Sequence, residues 1–260
     1  MIEIDNPIVN SGIFFPRPEA GGTPPTGARD FFVEAGPGAR IHVRMHPHPE
    51  GIGSRPVVLH FHGNGEIVSD YDDLAPAYHS AGASVCFADF RGYGQSSGSP
   101  SIRALVADAH PILDGTLRIL REERHDGPIA VMGRSLGSAP AIELASARSA
   151  DVSGLIVESG FARTMPLLAL LGIPTAMLGL AELEGDDNED RMGRVTIPVL
   201  LIHAEDDMIV PLWHAERNLV RVPSQAKRLV VIPGADHNDI MATGGRLYWG
   251  SLAAFLASLG

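Results

Sequence analysis

Residues 129–148 read IAVMGRSLGSAPAIELASAR. Ile129, Ala130, Val131 and Met132 form an unbroken apolar run, the mark of a strand buried on both faces. From Ala139 the sequence continues with helix-forming residues, so strand must become helix within Gly133-Arg134-Ser135-Leu136-Gly137. A chain that bends so sharply has no room for side chains just before and after the bend, and Gly133 and Gly137 supply that room. Ser135 is thereby pushed out at the C-terminal edge of the strand. Behind it the helix N-terminus offers unpaired N–H groups and a partial positive charge. The plainer alternative is a serine that only caps the helix.

The same rhythm extends on both sides. Residues 57–61 (VVLHF), 84–88 (SVCFA), 155–157 (LIV), 199–202 (VLLI) and 229–232 (LVVI) are further apolar runs. Between them lie helical patterns. Residues 102–121 place Leu105, Val106, Ala109, Leu113, Leu117 and Leu120 along one side, with Pro111 expected to bend the helix; residues 139–148 form another, and residues 245–259 close the chain with Leu247, Leu252, Phe255 and Leu256. Buried strands alternating with helices predict an α/β fold, a mostly parallel sheet covered on both faces. Two short alternating runs, 31–34 and 40–45, separated by GPG, predict an antiparallel N-terminal hairpin at the sheet edge.

Residues 1–29 are rich in Pro and Gly and show no periodicity, so they are expected to be an arm beside a single domain spanning 30–260. The rhythm breaks once, between Ser159 and Thr196. An apolar part (MPLLALLGIPTAMLGLA, 165–181) is followed by an acidic one (ELEGDDNEDR, 182–191), which predicts an insertion at about 161–194 over one end of the sheet. A pair of helices packed on the core, or a contact between two copies of the chain, are the other readings of its apolar part.

Composition narrows the partners. Against 20 Lys and Arg stand 31 Asp and Glu, a net charge of −11 with no basic run, so nucleic acid is excluded as an expected partner. Cys86 is the single cysteine, which rules out an intramolecular disulfide or a cysteine-based zinc site and fits a reducing compartment. The first residues, MIEIDNPIVN, lack the pattern of a signal peptide. The longest apolar stretch, 166–183, is interrupted by Gly172, Pro174 and Gly179, so no membrane span is expected. The expectation is a soluble, cytoplasmic protein.

A serine hydroxyl is a weak nucleophile that needs a base, and the base needs an orienting acid. His237 is the one histidine beyond the last predicted strand, in PGADHN (233–238). The acid is expected after the strand VLLI, where Glu205, Asp206 and Asp207 are consecutive; Glu158, ending the strand before, is a further alternative. His42, His46 and His48 are poorly spaced for metal ligation, and His203 is expected to be a packed side chain. Oxyanion donors are expected from the backbone N–H of Leu136 and from the loop His62-Gly63-Asn64-Gly65-Glu66, where glycines let an N–H near Asn64 turn toward the serine. No GxxxxGK[ST] phosphate loop occurs.

Taken together, HGNGE (62–66), DFRGYGQSSGSPS (89–101), GRSLG (133–137), HAEDDMIVP (203–211) and GADHND (234–239) resemble the α/β-hydrolases, in particular the bacterial serine-aminopeptidase-like group, over roughly residues 30–260. The resemblance selects Asp207 as the acid, completing Ser135, Asp207 and His237, and makes the Asn64 N–H an oxyanion donor. It implies structural roles for Asp89 and Arg91. Ala204 departs from a glycine common in the group. Gly63, Glu66, Arg134 and Phe161 are expected to border the substrate, although Glu66 would equally cap the helix starting near Ile67. An apolar cap at residues 161–183 favours an acyl group. The implied function is hydrolysis of carboxylic esters or thioesters of a small-molecule acyl substrate, with no cofactor and no metal. A peptidase or amidase with the same residues, and a non-catalytic binding module, are the alternatives.

Overall fold

The structure, a computed structural model, describes residues 5–36, 38–178, 180 and 186–260. Residues 179 and 181–185, within the stretch expected to form the cap and its acidic part, lie outside the described residues, as does Pro37 of the expected hairpin turn. Eight strands form one sheet: β1 (Arg29–Glu34), β2 (Arg40–His46), β3 (Val57–Phe61), β4 (Ser84–Ala88), β5 (Ile129–Arg134), β6 (Gly154–Glu158), β7 (Val199–Ala204) and β8 (Lys227–Ile232). Their order is β1-β2-β4-β3-β5-β6-β7-β8. The β1–β2 and β2–β4 pairs are antiparallel and the rest parallel, as the hairpin and the apolar runs predict.

Period-two alternation divides the buried side chains between two cores. Leu59, Val131, Leu155, Val157 and Leu201 join one. Val58, Ala130, Met132, Ile156, Leu200 and Ile202 join the other. Every residue of β3 to β7 is buried. At about 1.5–3 kcal/mol for each large aliphatic side chain removed from water, this double burial dominates the stability of the sheet and fixes its register.

The helices are α1 (Pro7–Ile13), α2 (Ala75–Ser80), α3 (Ile102–Ala107), α4 (Ala109–Glu122), α5 (Ser138–Ala147), α6 (Thr164–Leu170), α7 (Asn188–Met192), α8 (Trp213–Arg221) and α9 (Ile240–Ala257), with a 3-10 turn at Val68–Leu74. Three differ from expectation. The arm holds α1, which starts because the Asn6 side chain accepts the N–H groups of Ile8 and Val9 and Pro7 fits the first turn. The helix expected over 102–121 is two helices. It breaks at Asp108, whose carboxylate is held by Arg91 at 2.6 and 2.7 Å. Pro111 lies in the first turn of α4, where its missing N–H withholds the i→i−4 bond to the Ala107 carbonyl that would join the two helices. The last helix begins earlier than expected, at Ile240, and kinks at Gly245 (φ 43°, ψ −118°).

Register aligns the strand ends that matter. Phe61 pairs with Gly133, Arg134 with Glu158, and Ala204 with Ile232. The segments that follow β3, β5, β7 and β8 therefore emerge along one edge of the sheet.

Candidate active site

Ser135 occupies the bend between β5 and α5 with φ at +50°, a conformation that costs an L-residue roughly 1–2 kcal/mol. The close approach behind it requires both glycines. A Cβ on Gly133 would lie 2.1 Å from the Gly137 carbonyl oxygen, and one on Gly137 would lie 2.2 Å from that of Phe61. The Ser138 hydroxyl donates to the Ser135 carbonyl at 2.6 Å and closes the turn.

His237 Nε2 lies 3.0 Å from Ser135 Oγ, and His237 Nδ1 lies 2.7 Å from Asp207 Oδ2. A carboxylate only accepts, so Nδ1 carries the hydrogen and Nε2 is left to accept from the serine. Burial pushes the Asp207 carboxyl up, but the hydrogen bond from His237 and the N–H of Val210 outweigh it and hold the group below the usual carboxylate range. Its other oxygen accepts from the N–H groups of Ile209 (3.0 Å) and Val210 (2.7 Å). His203 is packed below, donating from Nε2 to the Val210 carbonyl at 2.7 Å, with burial lowering its pKa so that the ring stays neutral.

The other carboxylates weighed as acids are engaged elsewhere. Glu205 is exposed and accepts from the Gly234 N–H at 3.0 Å; Asp206 is exposed. Glu158 is fully buried, accepting from the Tyr248 hydroxyl and lying 3.3 Å from Arg134 Nε. Burial raises its pKa more than the Arg134 charge lowers it.

A cavity of about 610 Å³ opens on Ser135. Asn64, Leu136 and Phe161 line it, with Ile102, Leu105 and Val106 on α3 and Leu167, Leu168 and Leu171 on and just beyond α6. Part of the expected insertion thus stands over the serine as an apolar wall. At one side the wall is charged but internally paired. Arg191 contacts Glu143 (2.8 Å) and Asp186 (2.6 Å), and His110 contacts Glu143 (3.1 Å).

Gly63, Glu66 and Arg134, expected to border the substrate, do not line this cavity. The Gly63 N–H donates to Glu66 at 2.6 Å, the Tyr71 hydroxyl donates to the same carboxylate, and Arg134 Nε lies 3.4 Å away. Arg134 ends β5 one residue before Ser135, so alternation turns it away from the half-buried serine and into this buried network. Residues not singled out from sequence also reach the cavity: Ile13 and Phe14 from the arm, and Ile209 and Val210 beside Asp207. The Asn6-Pro7 pair was the available signal for the first two, because it marks a helix start inside the arm.

Asp89, fully buried, contacts His42 Nδ1 at 3.1 Å and His62 Nε2 at 3.4 Å and accepts the Val68 N–H at 3.0 Å. It lies under the 62–66 loop with no contact to Ser135. Among the described residues no group of three or more His, Cys, Asp or Glu is placed to hold a metal ion, and no helix is long and apolar enough to cross a membrane.

The family described as "Serine aminopeptidase, S33" matches residues 53–183, from the start of the sheet core through the serine turn and α6. This chain is a member of that family. It is an α/β-hydrolase, and a hydrolase by family. An uncharacterized protein of Mycobacterium tuberculosis is 35% identical over 248 residues, covering 94% of this chain and 85% of its own length. The lysophosphatidylserine lipase ABHD12 of Rattus norvegicus is 29% identical over 191 residues, covering 67% of this chain and 47% of that protein. Among solved structures, the Pyrococcus furiosus esterase Pf2001 superposes with a TM-score of 0.74 at 16% identity over 94% of this hydrolase and 99% of that chain. At that identity the likeness is one of fold.

Proposed function

We propose that this hydrolase cleaves carboxylic esters or thioesters with an apolar acyl group, through Ser135, His237 and Asp207. One observation carries the reading: the hydroxyl, imidazole and carboxylate form a continuous hydrogen-bonded series, 3.0 and 2.7 Å, at the wall of an apolar cavity. In this scheme Ser135 Oγ attacks the carbonyl carbon while His237 Nε2 takes its proton. Asp207 holds the tautomer and stabilises the imidazolium as it forms. The N–H groups of Asn64 and Leu136 receive the oxyanion, each worth about 3 kcal/mol in the transition state. His237 returns the proton to the leaving group. A water molecule, deprotonated by the same imidazole, then releases the acid from the serine.

The lining of the cavity supports an acyl chain rather than a charged amine. Among the described residues its carboxylates, Glu143 and Asp186, are already matched by Arg191 and His110, leaving none of them free for an amino terminus. The substrate on this reading is a small-molecule ester and the setting cytoplasmic, in keeping with a single, free and buried cysteine, Cys86.

The test is a parallel assay of p-nitrophenyl acyl esters and aminoacyl anilides. Ester turnover that rises with acyl length while the anilides remain uncleaved is expected. Anilide cleavage at a comparable rate would move the assignment to a peptidase or amidase.

A further inference from the structure

Asn64 is held by residues from the far N-terminal side of the chain. Its side-chain Nδ2 donates to the Ile13 carbonyl, and its Oδ1 accepts from the Phe15 N–H at 3.1 Å and from the Tyr93 hydroxyl at 2.7 Å. The Phe15 N–H is shared with the Tyr93 oxygen at 2.9 Å, closing a three-membered cluster. Further on, Arg17 donates to the Gly65 carbonyl at 3.1 Å and grips Asp70 through both terminal nitrogens at 2.8 and 3.0 Å. Asp70 also accepts the Ile67 N–H at 3.0 Å. The Arg17 carbonyl accepts from the Gly94 N–H at 2.9 Å, and the Glu19 N–H donates to the Gly94 carbonyl at 2.8 Å. The segment is therefore stitched to the 62–66 loop at two successive residues and to the turn at Tyr93 and Gly94. Between these fastenings Ile13 and Phe14 are buried and line the cavity.

We infer that residues 13–17 belong to the active site: they form a strap that clasps the Asn64 side chain to position its N–H for the oxyanion, while Phe14 supplies one wall of the acyl cavity. The inference rests on the serine-hydrolase reading and on Asn64 as an oxyanion donor. The physical need is plain. The loop has glycine on both sides of Asn64, with Gly65 at φ +77°, so its backbone is intrinsically soft. An oxyanion donor works only when fixed to within about half an ångström, and misplacement by about 1 Å costs on the order of 100-fold in rate. On the protein side Glu66 fixes Gly63 through its N–H at 2.6 Å, and nothing in that contact reaches Asn64. The strap fixes Asn64 itself, at both polar ends of its amide. Tyr93 is fully buried, and burial drives its phenol pKa up, so it remains a donor across the working pH range.

Asn64 is on this account a positioning residue through its side chain, separable from its backbone N–H. The experiment uses the full chain as wild type, Asn64→Ala, Arg17→Ala and Phe14→Ala. It measures kcat and KM on p-nitrophenyl acetate and octanoate, and inhibition by an alkyl trifluoromethyl ketone, which adds to a serine to give an oxyanion. Asn64→Ala keeps the N–H but loses the clasp. Its kcat is expected to fall about 10- to 100-fold on both esters with KM within about threefold, and the ketone to weaken by a similar factor. Phe14→Ala is expected to raise KM on octanoate by a larger factor than on acetate. Should Asn64→Ala fail to fold, Arg17→Ala, with its half-exposed side chain, decides by the same loss of kcat, at about three- to tenfold. A wild type that hydrolyses neither ester overturns the serine-hydrolase reading and the strap with it. An active wild type whose clasp variants keep kcat and ketone binding within about twofold overturns the strap alone.

Discussion

Arg134 Nη2 donates to the His237 carbonyl oxygen at 3.1 Å. The residue immediately before the serine thereby holds the backbone of the residue proposed as its base. The same guanidinium lies 3.3 Å from Glu158 and 3.4 Å from Glu66, so one cation ties the serine turn, the end of β6, the 62–66 loop and the base loop together. Removing it leaves the fully buried Glu158 carboxylate without its countercharge. Arg134→Met is expected to lose about 3–5 kcal/mol of unfolding free energy by urea denaturation. Arg134→Lys keeps the charge without the planar fork, and is expected to recover most of the stability while kcat stays about tenfold low.

Gly133→Ala and Gly137→Ala place a methyl about 2 Å from backbone carbonyl oxygens that no rotamer change can move. Each is expected to cost about 1–3 kcal/mol, read as a lower urea midpoint, and to lower kcat well beyond tenfold because the turn carrying Ser135 must shift. An Ala variant with wild-type kcat would show that the bend tolerates a side chain.

Asp89 gives acid sensitivity a defined window. Burial opposes its ionisation, but hydrogen bonds from His42 and His62 prevail and carry its pKa from 3.8 down to about 2. A carboxyl depressed on folding stabilises the fold above its unfolded pKa, and that stabilisation drains away as pH falls through the folded value. The shift corresponds to about 2 kcal/mol. Asp89→Asn is expected to be less stable than wild type at about pH 6, with most of that gap closed by about pH 2, in urea titrations across the range. A gap independent of pH would mean the carboxylate contributes only shape.

Leu168 is buried at the cavity wall formed by α6. Leu168→Trp takes up space where an acyl chain is proposed to lie. It is expected to raise KM for a p-nitrophenyl octanoate at least about fivefold while leaving the acetate within about twofold, since each excluded methylene forfeits about 0.8 kcal/mol of burial. Equal effects on both esters would place the chain elsewhere.

The sheet was legible because its central strands are apolar on both faces, and a run such as VVLHF or VLLI has no other economical home in a chain of this length. The edge where Ser135, Asp207 and His237 gather followed from that, since each lies just beyond a predicted strand. What sequence hid was direction and partnership. Arg134 and Glu66 resemble pocket residues by position alone, yet both turn into a buried charge network whose members come from four separate segments. The two helices meet at Asp108, whose carboxylate is held by Arg91, seventeen residues away, a partnership local sequence does not show. The arm looked structureless because α1 is only seven residues long and shows no repeat of its apolar face. Its start signal, Asn6 followed by Pro7, was nonetheless present.

The central claim is that Ser135 is a nucleophile activated by His237. Intact-mass analysis after exposure to a fluorophosphonate tests it most directly. Wild type is expected to gain one adduct, mapped to Ser135 by peptide digestion, and to lose its ester hydrolysis in step. Ser135→Ala is expected to gain none, and His237→Ala to label at least about 100-fold more slowly. Stoichiometric labelling of Ser135→Ala, or full-rate labelling of His237→Ala, would contradict the account.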